Sequence, residues 1–131
     1  MTTDLWMLAA TAILAAFMFL IYAVGRFKEP GGIAWAFGNR ATSFDRVDPW
    51  VARAVRAHQN LTENLVPFAA LVLVAHVSGK ANAVTALAAQ VFFWCRLGHL
   101  MTYTAGIAYA RTAFFSAGLL AELAILMQLL K

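Results

Sequence analysis

Apolar side chains run from Leu5 to Gly25 without a single charge, and three further hydrophobic stretches follow, each interrupted by only a few charged residues. About 20 predominantly apolar residues let a helix cross the hydrocarbon core of a bilayer. The pattern predicts four such helices, over Leu5–Gly25, Pro49–Val77, Ala81–Tyr103 and Arg111–Leu130. Between the first two, Arg26 to Asp48 holds Pro30, Gly31, Gly32, Gly38 and seven charges, and reads as a loop with Trp35 and Phe37 at the membrane interface. Asp48-Pro49 sets a capping aspartate before a proline at the first helical position. Ser78-Gly79-Lys80 makes a tight turn, and Thr104-Ala105-Gly106 begins a second short connection. Alanine-rich faces on the first and third helices permit close helix contact. The expected fold class is all-α integral membrane, with residues 1–131 forming a single four-helix membrane domain.

The second helix is not uniformly apolar. Arg56, Asn60 and Glu63 follow Arg53 at offsets of three, seven and ten, so at about 100° per residue all four fall within an arc of roughly 80°. On the third helix Arg96, His99 and Tyr103 fall within about 60°. Pro67 lies on the first of these stripes and cannot donate a hydrogen bond to the Glu63 carbonyl. That invites a kink, although packed membrane helices also tolerate proline. On the fourth helix Arg111, Phe115, Gly118 and Glu122 share a face, and Glu122, deep in an apolar run, must pair or stay neutral.

Composition narrows the class. The 131 residues are 63% hydrophobic and 12% charged, whereas a soluble domain is about half apolar and a quarter charged, so the chain reads as an integral membrane protein. The net charge of +4 comes from few, dispersed basic residues, some within the spans, which argues against a nucleic-acid partner and for a basic loop at an anionic membrane surface. Cys95 is the single cysteine, so no disulfide framework or paired-thiol motif exists. His58, His76 and His99 lack helical ligand spacing, and no metal site is expected. Ala23 and Gly25 weakly imitate a signal-peptide cleavage site. Asp4 stands where a basic leader would be, however, and the run is longer than a signal core, so the segment reads as a transmembrane helix.

Lysine and arginine counts set an expected orientation. Arg26, Lys28, Arg40, Arg46, Arg53 and Arg56 gather around the first loop, Arg111 joins the same side, and Lys80 and Lys131 lie opposite. The long loop is therefore expected in the cytoplasm, with both termini outside. This topology brings the polar half of the second helix and the polar end of the third to one depth. Arginine forks bind carboxylates, Glu63 accepts an ammonium, Asn60 offers donors and acceptors, and Tyr103 and His99 donate or stack. The set suits a small zwitterionic ligand with several carboxylates. The competing reading, in which the same charges pair only with one another and fix helix register, stays open at this point.

The segment Arg53-Ala54-Val55-Arg56-Ala57-His58-Gln59-Asn60-Leu61-Thr62-Glu63-Asn64-Leu65-Val66-Pro67-Phe68 closely resembles the signature of the MAPEG family, the membrane-associated proteins in eicosanoid and glutathione metabolism. The resemblance continues through Arg96, His99, Tyr103 and Arg111-Thr112, covers nearly the whole chain, and is strongest to the short bacterial branch. It implies a homotrimer of four-helix subunits in a bacterial inner membrane, with glutathione bound as cosubstrate between adjacent subunits near the cytoplasmic face. It assigns glutathione contacts to Arg56, His58, Asn60 and Glu63 on the second helix, to Arg96, His99 and Tyr103 on the third, and to Lys28 at the end of the first. Arg53 matches an arginine with a structural role. Arg111, aligned across a one-residue gap, resembles the arginine that stabilises the glutathione thiolate, with Tyr103 beside it as the second catalytic residue. Phe115, Gln59, Leu61 and Ala52 depart from the prostaglandin-synthase branch, so the resemblance implies the glutathione cradle rather than eicosanoid synthesis.

The expected activity is that of a microsomal-type glutathione transferase acting on lipophilic electrophiles, with hydroperoxide reduction as a second reaction open to the same thiolate. A non-catalytic scaffold of the same fold, or a proton-relay bundle using Glu63, Glu122 and the histidines, are the competing readings. The absence of an inverted repeat and the single-sided polar cluster count against the relay.

Overall fold

The computed structural model describes residues 1–40 and 47–131, and the regular elements among them are all helical. Arg46, counted above with the basic loop, lies outside the described residues. The chain begins with α1 (Thr3–Phe17) and α2 (Phe19–Lys28), which meet at Met18. Met18 itself keeps right-handed helical torsions, so the two form one rod over Thr3–Lys28, 26 residues long. The rod outlasts the apolar run because Arg26 and Lys28 in the last turn complement the helix dipole.

A short helix, α3 (Gly32–Phe37), follows within the stretch that reads as a loop. Its six residues are too few to register a period, and the flanking Gly31, at φ 81°, and Gly38 dominate the sequence signal. The second span is α4 (Pro49–Val77), 29 residues that pass through Pro67 without interruption. Asp48 occupies the N-cap position, but its carboxylate does not cap the backbone; it accepts from Trp50 Nε1 at 3.3 Å.

The third span, α5 (Ala83–Ala105), starts two residues later than the apolar pattern indicates, because Asn82 and Thr85 close a capping box. Asn82 Oδ1 accepts from the Val84 and Thr85 amides, and Thr85 Oγ1 accepts from the Asn82 amide at 2.9 Å. The helix stops at Gly106, whose φ of 84° suits glycine, and the Ile107 amide reaches back to the Thr102 carbonyl at 2.9 Å. The fourth span, α6 (Ala108–Leu129), begins about one turn before Arg111. Four helices, the α1–α2 rod, α4, α5 and α6, are thus long and apolar enough to cross a membrane.

Helix α5 sits at the centre and touches α1, α4 and α6. Phe68 of α4 stacks on Phe92 of α5, ring centroids 3.9 Å apart, within a cluster completed by Val72, Ala75, Ala88, Ala89, Ala121 and Ile125. A second cluster, Ala15, Met18, Ala57, Leu61 and Leu100, joins the first rod to α4 and α5. Alanine supplies close approach where lipid tails leave little hydrophobic drive between helices. Large apolar side chains such as Trp6, Phe17, Val66, Leu87, Trp94 and Leu120 point outward along the rods, as a lipid-facing surface requires. Polar ties clamp both ends of the bundle. Arg53 Nε donates to the Thr104 carbonyl at 3.0 Å, and at the other end Lys80 Nζ donates to the Leu129 carbonyl. The start of α4, the end of α5 and the start of α6 therefore share one end.

Candidate functional site

The α4 stripe resolves into two edges. Taking Arg53 as the origin, Asn60 and Asn64 lie about 20° to either side of it, whereas Arg56 and Glu63 lie roughly 60° and 80° away. The first three residues face α5 and are bonded to it or to each other. Arg53 holds the α5 terminus. Asn60 and Asn64 receive Arg96, whose Nη1 donates to Asn60 Oδ1 at 3.2 Å and whose Nη2 donates to Asn64 Oδ1 at 3.1 Å. Asn64 Nδ2 in turn donates to the Asn60 carbonyl at 2.7 Å. Arg56 and Glu63 are exposed, and neither makes a hydrogen bond or ion pair among the described residues.

Arg96 is only 2% exposed, so its guanidinium depends on protein partners instead of water. Its Cζ lies 4.7 Å from the Phe92 ring centroid and 5.5 Å from that of Phe115, aromatic surroundings suited to a weakly hydrated planar cation. Gly118 of α6 makes room for it: a Cβ there would stand 3.0 Å from Nη2. Glu122, one turn along the same α6 face, is also buried. One Glu122 carboxylate oxygen and the Arg96 Nε have no hydrogen-bond partner among the described residues.

Towards the shared end, the aromatic groups continue the line. His99, 4% exposed, meets Tyr103 edge-on at 5.3 Å and lies 6.4 Å from Phe115. Arg111, in the first turn of α6, places its Cζ 4.7 Å over the Tyr103 ring. The Tyr103 hydroxyl, half-buried, has no hydrogen-bond partner among the described residues. An always-charged guanidinium and a free phenol thus stand together where α5 turns into α6.

Two residues assigned by resemblance stand apart from this group within the chain. His58 lies roughly 140–160° around α4 from Arg56, Asn60 and Glu63. Its Nδ1 is hydrogen-bonded to the Tyr22 hydroxyl at 3.0 Å, and so ties α4 to α2. Lys28 is exposed at the end of α2 with no contact to the group among the described residues. Of the other residues assigned by resemblance, Asn60, Arg96, His99, Tyr103 and Arg111 are brought together by these contacts, whereas Arg56 and Glu63 make no contact with them among the described residues. Asn64, Phe92 and Phe115 belong with the residues so joined. Asn64 was legible as a member of the same helical face, eleven residues from Arg53, and Phe115 as a member of the face shared by Arg111 and Glu122, whereas nothing in the sequence distinguishes Phe92 from other packed aromatics.

The chain matches the family model described as the MAPEG family over residues 5–131. It is similar to microsomal glutathione S-transferase 1 of Rattus norvegicus, with 34% identity over 102 residues that cover 72% of this chain and 66% of that protein. The Mus musculus protein of the same name is 32% identical over 102 residues, with the same coverage of 72% and 66%. That of Homo sapiens is 32% identical over 71 residues, covering 54% of this chain and 46% of that protein. The chain therefore spans just under two thirds of the rat and mouse proteins.

Proposed function

The chain belongs to the MAPEG family, and from that premise we propose that it is a glutathione transferase of the membrane, assembled as a homotrimer and acting on lipophilic electrophiles. The observation that carries the reading is the division of the α4 stripe. Arg96 is hydrogen-bonded to Asn60 and Asn64, while Arg56 and Glu63 stand exposed on a helix long and apolar enough to span a membrane, with no partner among the described residues. Charge at that depth needs cover, and a second copy with a bound zwitterion supplies it.

Glutathione carries two carboxylates, an ammonium and a thiol. Arg56 suits a carboxylate and Glu63 the ammonium. Asn60 gives its side-chain oxygen to Arg96, a group that can only donate, which leaves the Asn60 amide NH2 free for the ligand. Arg96 acts in this scheme as a positioning residue that sets Asn60. In this scheme His58 acts through the fold, by its bond to Tyr22, and Lys28 reaches the ligand from the neighbouring copy. At the sulfur, the fixed charge of Arg111 and the Tyr103 hydroxyl favour the thiolate over a thiol that titrates near 8.5 when free. The sulfur lone pair then forms the S–C bond to an electrophile arriving through the lipid, and the leaving group departs with its electron pair. In the peroxidase reaction the same thiolate attacks the outer oxygen of a hydroperoxide, the O–O bond breaks and the alcohol leaves, and a second glutathione reduces the resulting sulfenic acid to give the disulfide and water. The family resemblance to bacterial members and the basic first loop support an inner membrane setting with the site facing the glutathione-containing cytoplasm.

A calorimetric titration of the detergent-purified protein with glutathione tests the proposal. The expected result is a saturable heat and a midpoint of thermal unfolding that climbs with glutathione concentration. Neither response would leave the scaffold reading in its place.

A further inference from the structure

We propose that a second site, at the junction of α2 and α3, binds the phosphodiester of an anionic phospholipid. It is a groove of about 400 Å³ whose lining includes Tyr22, Arg26, Trp35, Phe37 and Arg40. Two guanidiniums converge on one indole: Arg26 Cζ lies 5.1 Å and Arg40 Cζ 5.3 Å from the Trp35 ring. Arg26 also lies 5.0 Å from the Tyr22 ring. Like charges brought to a common ring repel unless an anion lies between or beside them, and neither arginine has a carboxylate within ion-pairing reach among the described residues. Arg40 spends its Nε and Nη2 on the Ala36 carbonyl, which anchors the side chain over α3. Arg26 Nε is shielded from solvent yet has no acceptor among the described residues, so at least one donor is unused.

The surroundings favour a lipid over a soluble phosphate. Phe37 is 84% exposed and Ile33 57%, on a short helix at the end of a membrane span. Apolar side chains displayed beside cationic ones at that level fit acyl chains below and a headgroup above. The groove is also distinct from the thiol chemistry, since none of Asn60, Arg96, His99, Tyr103 and Arg111 lines it.

The test uses the full-length, delipidated protein in detergent, with phosphatidylglycerol and phosphatidylcholine of identical acyl chains and retention read by native mass spectrometry. At a membrane surface each basic residue is worth about a fivefold preference for anionic lipid, so two give roughly 25-fold. The expected result is that preference in the parent, about fivefold less in R40Q, and its loss in R26Q/R40Q, with K28Q unchanged. Because Arg40 is exposed, R40Q reports even if the double variant fails to fold. Equal retention of the two lipids overturns the proposal, as does a loss in K28Q matching that in R40Q, the mark of diffuse surface charge. Displacement of phosphatidylglycerol by an equal concentration of inorganic phosphate would overturn the lipid assignment and point to a soluble anion.

Discussion

Replacing Arg96 by methionine removes the group on which the interior of the α4–α5–α6 unit converges while keeping most of the apolar volume between Phe92 and Phe115. Two interhelical hydrogen bonds, to Asn60 and Asn64, disappear. Bonds to a charged donor contribute about 1.5–3 kcal/mol each in soluble proteins. Between membrane helices the average is about 0.6 and the maximum about 1.7 kcal/mol, because the unfolded reference also finds partners in the bilayer. Two bonds near the upper membrane value give about 3 kcal/mol. The expected destabilisation is about 2–4 kcal/mol. Equilibrium unfolding by sodium dodecyl sulfate in mixed micelles, followed by circular dichroism, measures it. R96K should recover less than half, since a single ammonium cannot span both asparagine oxygens. The triple variant N60L/N64L/R96M should be more stable than R96M, because it no longer buries orphaned acceptors. A change below about 0.5 kcal/mol in R96M would mean that the buried fork is not what holds α5 to α4.

In R111A, kcat for conjugation should fall roughly a hundredfold while the glutathione Kd, read by calorimetry, moves less than about threefold. The residual rate should rise about tenfold per pH unit from pH 6.5 to 8, since the thiol then titrates near its free value and thiolate grows with pH; a flat profile removes Arg111 from sulfur activation. R56L and E63Q should each weaken glutathione about tenfold or more without loss of unfolding free energy, because both side chains are exposed and have no partner among the described residues; unchanged affinity in both dismisses the exposed edge of α4 as a ligand surface. Y22F should cost about 1 kcal/mol of stability by orphaning His58 and leave glutathione affinity unaltered; a large affinity change would mean that His58 reaches the ligand. N82A should lower stability by about 1–2 kcal/mol through loss of the α5 capping box, with activity per folded molecule preserved.

Periodicity made the spans and the polar faces legible, because hydrocarbon thickness sets helix length and helical geometry sets which residues share a side. The same reasoning could not find α3, whose six residues are shorter than two helical turns and are bracketed by glycines. Nor could it place the start of α5, which is decided by the Asn82–Thr85 hydrogen bonds and not by where alanines begin. The roles of the site residues were less legible still. Arg96 and Arg56 are the same residue type on converging stripes, yet one is the buried brace and the other an exposed cation. That difference lies in the neighbours of each helix, which a single helical wheel does not contain.

The width of the α4 stripe nevertheless carries that information once the packing is known. One neighbouring helix engages only the part of a polar face turned towards it, here the roughly 40° that hold Asn60, Arg53 and Asn64. The stripe extends another 60° or so, to Arg56 and Glu63, past anything α5 touches. If the stripe existed to fix register between α4 and α5, those two positions would gain nothing from charge and would cost free energy against lipid. On the proposed reading, α4 faces two polar partners, α5 of its own chain and a ligand held against a second copy. The second must bring complementary charge of both signs, because an arginine and a glutamate stand about 20° apart on the unclaimed edge. A zwitterionic ligand held against a neighbouring subunit meets that demand, whereas a uniformly apolar helix from another copy does not.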